Sequence, residues 1–253
     1  MITFGTIQRK GGNGKSTATV NLGAAFAEQG LKVLLIDTDD QKNTTSTIPT
    51  RRLVLKTVES LLLEADAGVA DVAEPTLWAG IDLIAGSLGL SSAAAALDDL
   101  PDGHLQLQNK LQAADGYDIC LIDTSPSLNI LTVNAMCASH GIFIPLSSNY
   151  FSLEGLAQTL DAYRKVASGL HRVLKLFGAA FVIHDGRTRL ANEVQEKVKE
   201  QYPDLLLDTV ISRNIKIEEA QVKKESIFWY APGDRGALQY RALAAELALR
   251  MGL

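Results

Sequence analysis

Cysteine is scarce: the 253 residues hold only Cys120 and Cys137, which excludes a disulfide scaffold. With 7 prolines and 20 glycines the chain is neither collagen-like nor low-complexity. No uninterrupted apolar run reaches the ~18 residues a membrane helix needs. Residues 1–5 carry neither a basic nor an apolar leader segment, so no secretory signal is expected. A large charge of one sign is also missing: net −5 and a pI near 5.4 argue against a protein coated in nucleic acid. Apolar residues are abundant, at 47% with mean hydropathy +0.08, which excludes a disordered chain. The expectation is a cytoplasmic globular protein with one domain over residues 1–253.

The charge is unevenly spread. Residues 1–159 hold 9 basic against 17 acidic side chains, a net of −8, and residues 160–253 hold 15 against 12, a net of +3. A local basic face in the C-terminal third is therefore open to an anionic partner. Short β-branched runs at 2–7, 32–37, 81–85, 117–123, 141–146, 176–183 and 205–211 read as strands. Several, such as Val33-Leu34-Leu35-Ile36, are apolar at every position, the pattern of strands buried between two helical layers. Helical patterns lie between them at 15–29, 57–64, 105–114, 128–138, 153–168, 190–201 and 237–251. The alternation predicts an α/β fold, a doubly wound, mostly parallel sheet with helices on both faces. Residues 44–75 read as a loop with one short helix and carry no assigned role.

The first strand runs into Lys10-Gly11-Gly12-Asn13-Gly14-Lys15-Ser16-Thr17, and a helix follows at once. Glycines at 11, 12 and 14 let consecutive backbone N–H groups turn inward toward phosphate oxygens, and the helix adds its positive end. Lys15 is expected to reach the β- and γ-phosphates, and the Ser16 hydroxyl to ligate Mg²⁺. The strict phosphate-loop pattern is broken, because Arg9 stands at its first glycine. The bland alternative is a glycine-rich turn with two exposed lysines.

The run K-G-G-N-G-K-S-T resembles the deviant Walker A loop of the ParA/MinD group of ATPases. Further matches follow in order: Val33–Gln41 ending in D-T-D-D-Q, Tyr117–Ser127 as a Walker B strand, and Tyr150–Leu156. Asp185–Thr188, Val210–Asn214 and Gly236–Ala244 complete them, and the set lies closest to the ParA branch. The resemblance implies that Lys10 is the signature lysine that crosses a dimer interface to the partner's nucleotide. It also implies Asn13, Thr17 and Asn214 among the ATP-binding residues. Two triphosphates facing each other repel unless cations stand between them.

Asp37 and Asp39 close one strand and Asp123 another, and ligands of open parallel sheets sit beyond such ends. Asp123 is expected to hold Mg²⁺ through water and Asp37 to buttress it; the resemblance assigns Asp39 to the attacking water. Each could instead merely cap the next helix. Asp40 and Ser212 stand where the family usually has proline. The cysteines read as core thiols, and the four histidines show no metal-ligand spacing. Arg187, Arg213, Lys223 and Lys224 are the candidates for backbone contacts to non-specific DNA, against the alternative of a solvated surface. The resemblance thus implies an ATP-dependent homodimer at the nucleoid and a ParB-like or cargo-adaptor partner that stimulates hydrolysis. A MinD-like membrane-recruited regulator and a metabolic P-loop enzyme are the alternatives; the Ala/Leu-rich end with a single late cation, Arg250, argues against membrane insertion.

Overall fold

The computed structural model describes residues 1–253. Its sheet has seven strands: β1 Ile2–Thr6, β2 Val33–Thr38, β3 Glu74–Pro75, β4 Ile81–Ile84, β5 Ile119–Thr124, β6 Gly141–Ser147 and β7 Lys175–Ile183. They lie in the order β3-β4-β2-β5-β1-β6-β7, parallel throughout except for the edge pair β3 and β4. Register puts Asp37 beside Asp123, and Thr6 beside Asp123 on its other flank. The carboxyl ends of β1, β2 and β5 therefore converge.

Alternation within each strand explains why the central runs are apolar at every position. Leu34, Ile36, Cys120 and Ile122 face one core, whereas Val33, Leu35, Ile119 and Leu121 face the other. The first core is closed by α3 Val58–Leu63, α5 Leu90–Asp98, α6 Gln106–Gln112, α7 Ile130–Cys137, α8 Ser152–Gly169 and α9 Arg189–Gln201. The second is closed by α1 Lys15–Glu28, α10 Ile215–Val222, α11 Ile227–Tyr230 and α12 Arg235–Met251. Both cysteines are buried and unbridged in the first core, as core thiols should be.

Two expectations need correction. Residues 205–211 form no continuous strand; they follow the β7 edge as two isolated parallel bridges, at Leu206 and, just beyond, at Ser212, with backbone hydrogen bonds joining Leu205, Leu207 and Ile211 to β7 and its end. The amides of Asp208 and Thr209 donate instead to the Glu246 carboxylate on α12, which draws the chain out of the ladder. Residues 44–75 hold more than one helix: α2 Asn43–Thr47, α3, α4 Val69–Val72 and then β3. These pieces are too short for periodicity to register, and tertiary contacts hold them. Helices α10 and α11 were likewise not foreseen.

Candidate functional site

The loop between β1 and α1 closes over the end of the sheet. Gly12 and Gly14 take φ of 77° and 76°, a left-handed backbone that a side chain disfavours. A Cβ on Gly11 or Gly12 would meet no atom within 4 Å, so the loop faces open space. That space is a cleft of about 570 Å³ lined by the loop, Lys15, Ser16, Thr17 and Asp39, with Gln221 and Val222 from α10 opposite. Gln221 Nε2 donates to Thr17 Oγ1 at 2.9 Å and ties α10 to the start of α1.

Three carboxylates stand behind the loop, all buried. Asp37 Oδ1 accepts from the Asp39 amide at 3.1 Å, and Oδ2 from the amide and hydroxyl of Thr45 at 2.8 and 2.6 Å. Asp39 Oδ1 accepts from the Gln41 amide at 3.0 Å. Asp123 Oδ2 accepts from the Thr44 hydroxyl at 2.8 Å, whereas its Oδ1 is buried with no partner. Burial, reinforced by the charge of Asp37, pushes the Asp123 carboxyl up to about 7, against the pull of Ser16, Thr44 and Lys15. Burial likewise raises Asp37 and Asp39 and lowers the Lys15 ammonium.

An orphaned carboxylate oxygen beside a second buried acid is short of positive charge. A glycine-lined cradle headed by a helix N-terminus is shaped for an anion. The residues present therefore fit a magnesium–nucleotide: Ser16 and Asp123 on the metal, Asp37 behind, and Lys15 with the loop amides on the phosphates.

Other expected site residues lie elsewhere. Asn13 is buried against β6, its Oδ1 accepting from Ser147 Oγ at 2.5 Å and its Nδ2 unpaired. Lys10 does not line the cleft; its Nζ sits 3.7 Å from the centre of the Phe151 ring. Asn214 caps α10, accepts from the Lys216 amide and donates to Asp234. Arg187 and Arg213 flank Asp185, and Arg187 is ion-paired to it at 2.7 Å. Lys223 and Lys224 are exposed just beyond Val222 at the cleft rim. Sequence reasoning missed Thr44, Thr45 and Gln221. The hydroxyl run Thr44-Thr45-Ser46-Thr47, a few residues after Asp37, Asp39 and Asp40, was the available signal for the first two.

Residues 1–176 match the family model described as an AAA domain. The chain is 39% identical over 247 residues to the chromosome-partitioning ATPase Soj of Treponema pallidum, covering 97% of this chain and 96% of that one. It is 37% identical over 241 residues to the sporulation initiation inhibitor protein Soj of Bacillus subtilis, covering 95% of each. Among solved structures it superposes on cobyrinic acid a,c-diamide synthase of Mycobacterium smegmatis with bound ATP analogue and magnesium, at TM-score 0.84. That match is 28% identical and covers 100% of this chain and 97% of the other.

Proposed function

Because the chain belongs to the ParA/MinD family of ATPases, on its Soj-like branch, we propose that it is a partition-type ATPase. ATP with Mg²⁺ closes two protomers into a sandwich dimer, and the dimer binds DNA without sequence preference. A ParB-like or cargo-adaptor partner triggers hydrolysis, which releases the dimer and so positions DNA or another cargo. In each protomer the loop amides and Lys15 hold the triphosphate, and Ser16 and Asp123 hold the metal. Mg²⁺ supplies the positive charge that the β- and γ-phosphates and the buried acids lack. Asp39 lines the cleft and orients the attacking water, whose oxygen bonds to the γ-phosphorus as the bond to the β,γ-bridging oxygen breaks.

One observation carries the reading: Lys10 follows the β1 strand in a phosphate loop, yet its ammonium lies outside that loop's own cleft. Arg187, Arg213, Lys223 and Lys224 supply cations toward a duplex, and pairing doubles them. Light scattering with ATP and Mg²⁺ is expected to show a monomer-to-dimer shift. Lys10→Ala is expected to lose the shift while keeping nucleotide affinity within about threefold; a variant that pairs normally defeats the bridging role.

A metabolic reading has the likeness to the diamide synthase in its favour. Its mark is ATP turnover that depends on a small substrate and ignores DNA. The membrane reading is weaker, because α12 buries Tyr240, Leu243 and Leu247 in the second core.

A further inference from the structure

The signature lysine has a resting place that the sequence did not announce. Lys10 makes no ion pair with any carboxylate, and its ammonium lies over the face of Phe151. Phe151 caps the N-terminus of α8, is 53% exposed, and is braced edge-on by Tyr150 with centroids 5.5 Å apart. An ammonium over an aromatic face is attracted by the ring quadrupole, weakly where water has access.

The contact is part of a longer fit. Phe151, Gly155 and Thr159 fall at four-residue spacing, one face of α8. Each touches the segment Gln8-Arg9-Lys10. Thr159 Oγ1 accepts from the Arg9 amide at 3.1 Å and lies 3.0 Å from Gln8 Oε1. That same Gln8 oxygen accepts from the Lys10 amide at 3.3 Å, and Gln8 Nε2 donates to the Pro145 carbonyl. A Cβ on Gly155 would stand 3.0 Å from Gln8 Oε1 and 3.2 Å from Lys10 Cβ, so the glycine lets the lysine stem lie against the helix. The backbone of residues 8–10 is pinned, and the side chain is laid along α8 toward Phe151.

We infer that Phe151 is a positioning residue for Lys10, holding its ammonium outside the protomer's own phosphate cleft until a second, triphosphate-loaded protomer takes it. The inference rests on the sandwich-dimer reading. The contact exists only in the free protomer, so the ammonium must leave the ring before it can bridge to a partner's triphosphate, and the stack opposes pairing until then. The stack is weak enough to surrender to two facing triphosphates. It is strong enough to bias the free protomer by about threefold per lysine, or about tenfold when two protomers pair.

The test uses the full chain grown with ¹³C-labelled lysine, the Lys10 signal being identified by its loss in Lys10→Arg. In nucleotide-free protein the Lys10 ε-methylene protons are expected upfield of the other lysines through the ring current. Phe151→Leu should abolish that displacement and Phe151→Tyr should keep it, with melting temperatures showing that both variants fold. Adding a non-hydrolysable ATP analogue with Mg²⁺ should remove the displacement in wild type as dimers form. Phe151→Leu is expected to dimerise about tenfold more tightly, with unchanged affinity for ATP in the monomer.

An unshifted Lys10 signal in wild type, or one indifferent to Phe151→Leu, overturns the stack. A displacement that persists in the dimer, or a dimer affinity in Phe151→Leu equal to or weaker than wild type, overturns the holding role. If Lys10→Ala pairs normally, the dimer-bridging reading fails and the holding role with it. The ring-current shift, read without nucleotide, is then a property of the free protomer alone, so the two failures are told apart.

Discussion

Thr45 is the residue on which two charged-site contacts depend. Its hydroxyl donates to Asp37 Oδ2 and accepts from the Gly86 amide at 2.9 Å, joining the end of β2 to the segment after β4. Thr45→Val keeps the shape but strands the Gly86 amide and takes one of the two donors from Asp37 Oδ2. The expected cost is about 1–3 kcal/mol in urea denaturation, with Thr45→Ser close to wild type. Asp123 gives a pH signature. In the unfolded chain its carboxyl ionises near ~3.9, whereas in the fold it keeps its proton up to about 7. The folded state therefore binds the extra proton between those values, and the stability of nucleotide-free protein from this group falls as pH rises through that window. Thermal unfolding from pH 4.5 to 8 should show the fall, Asp123→Asn should flatten it, and Mg²⁺ with ATP should offset it for wild type alone. The type and spacing of Asp37, Asp39, Asp123 and Lys15 were legible in the sequence. Thr44 and Thr45 were not, because a hydroxyl comes to hold a buried acid only through what the fold sets opposite it.

Among the elements, the strands that run between two cores were plain in the sequence, since burial on both faces leaves no polar position to obscure the run. The stretch at 205–211 carries a similar composition, yet Glu246, some forty residues later, takes the amides of Asp208 and Thr209 and interrupts its pairing with β7. Local pattern cannot report a competitor that distant in the chain. The turn before α6 shows the same dependence. A Cβ on Gly103 would lie 1.8 Å from the Leu97 carbonyl oxygen, a backbone atom that cannot step aside. Gly103→Ala is expected to cost more than about 3 kcal/mol by chemical denaturation. Gly116→Ala, with φ of 85° but open space around it, should cost about 1–2 kcal/mol.

At the scale of the whole molecule, the charge asymmetry of the sequence acquires a geometry. Arg187 and Arg213 gather around Asp185 beyond β7, and Lys223 and Lys224 stand at the rim of the cleft. Fluorescence anisotropy with random-sequence duplex is expected to show binding that requires ATP and falls steeply with salt. Arg213→Ala with Lys223→Ala should weaken it at least about fivefold while leaving nucleotide affinity intact. Arg187→Ala should matter less, because Asp185 already neutralises that guanidinium.

The order of apolar runs, the glycines of the loop and the acids at strand ends determined the fold class and the nucleotide cradle by themselves. Those features are local: a β-strand followed by a glycine-rich turn and a helix can be built in few ways. Only the tertiary structure decided which hydroxyls hold the acids, where residues 205–211 go, and that Lys10 rests on Phe151 rather than in its own cleft. Each of these is a contact between residues far apart in the chain, chosen by competition among donors, acceptors and surfaces that meet only after folding.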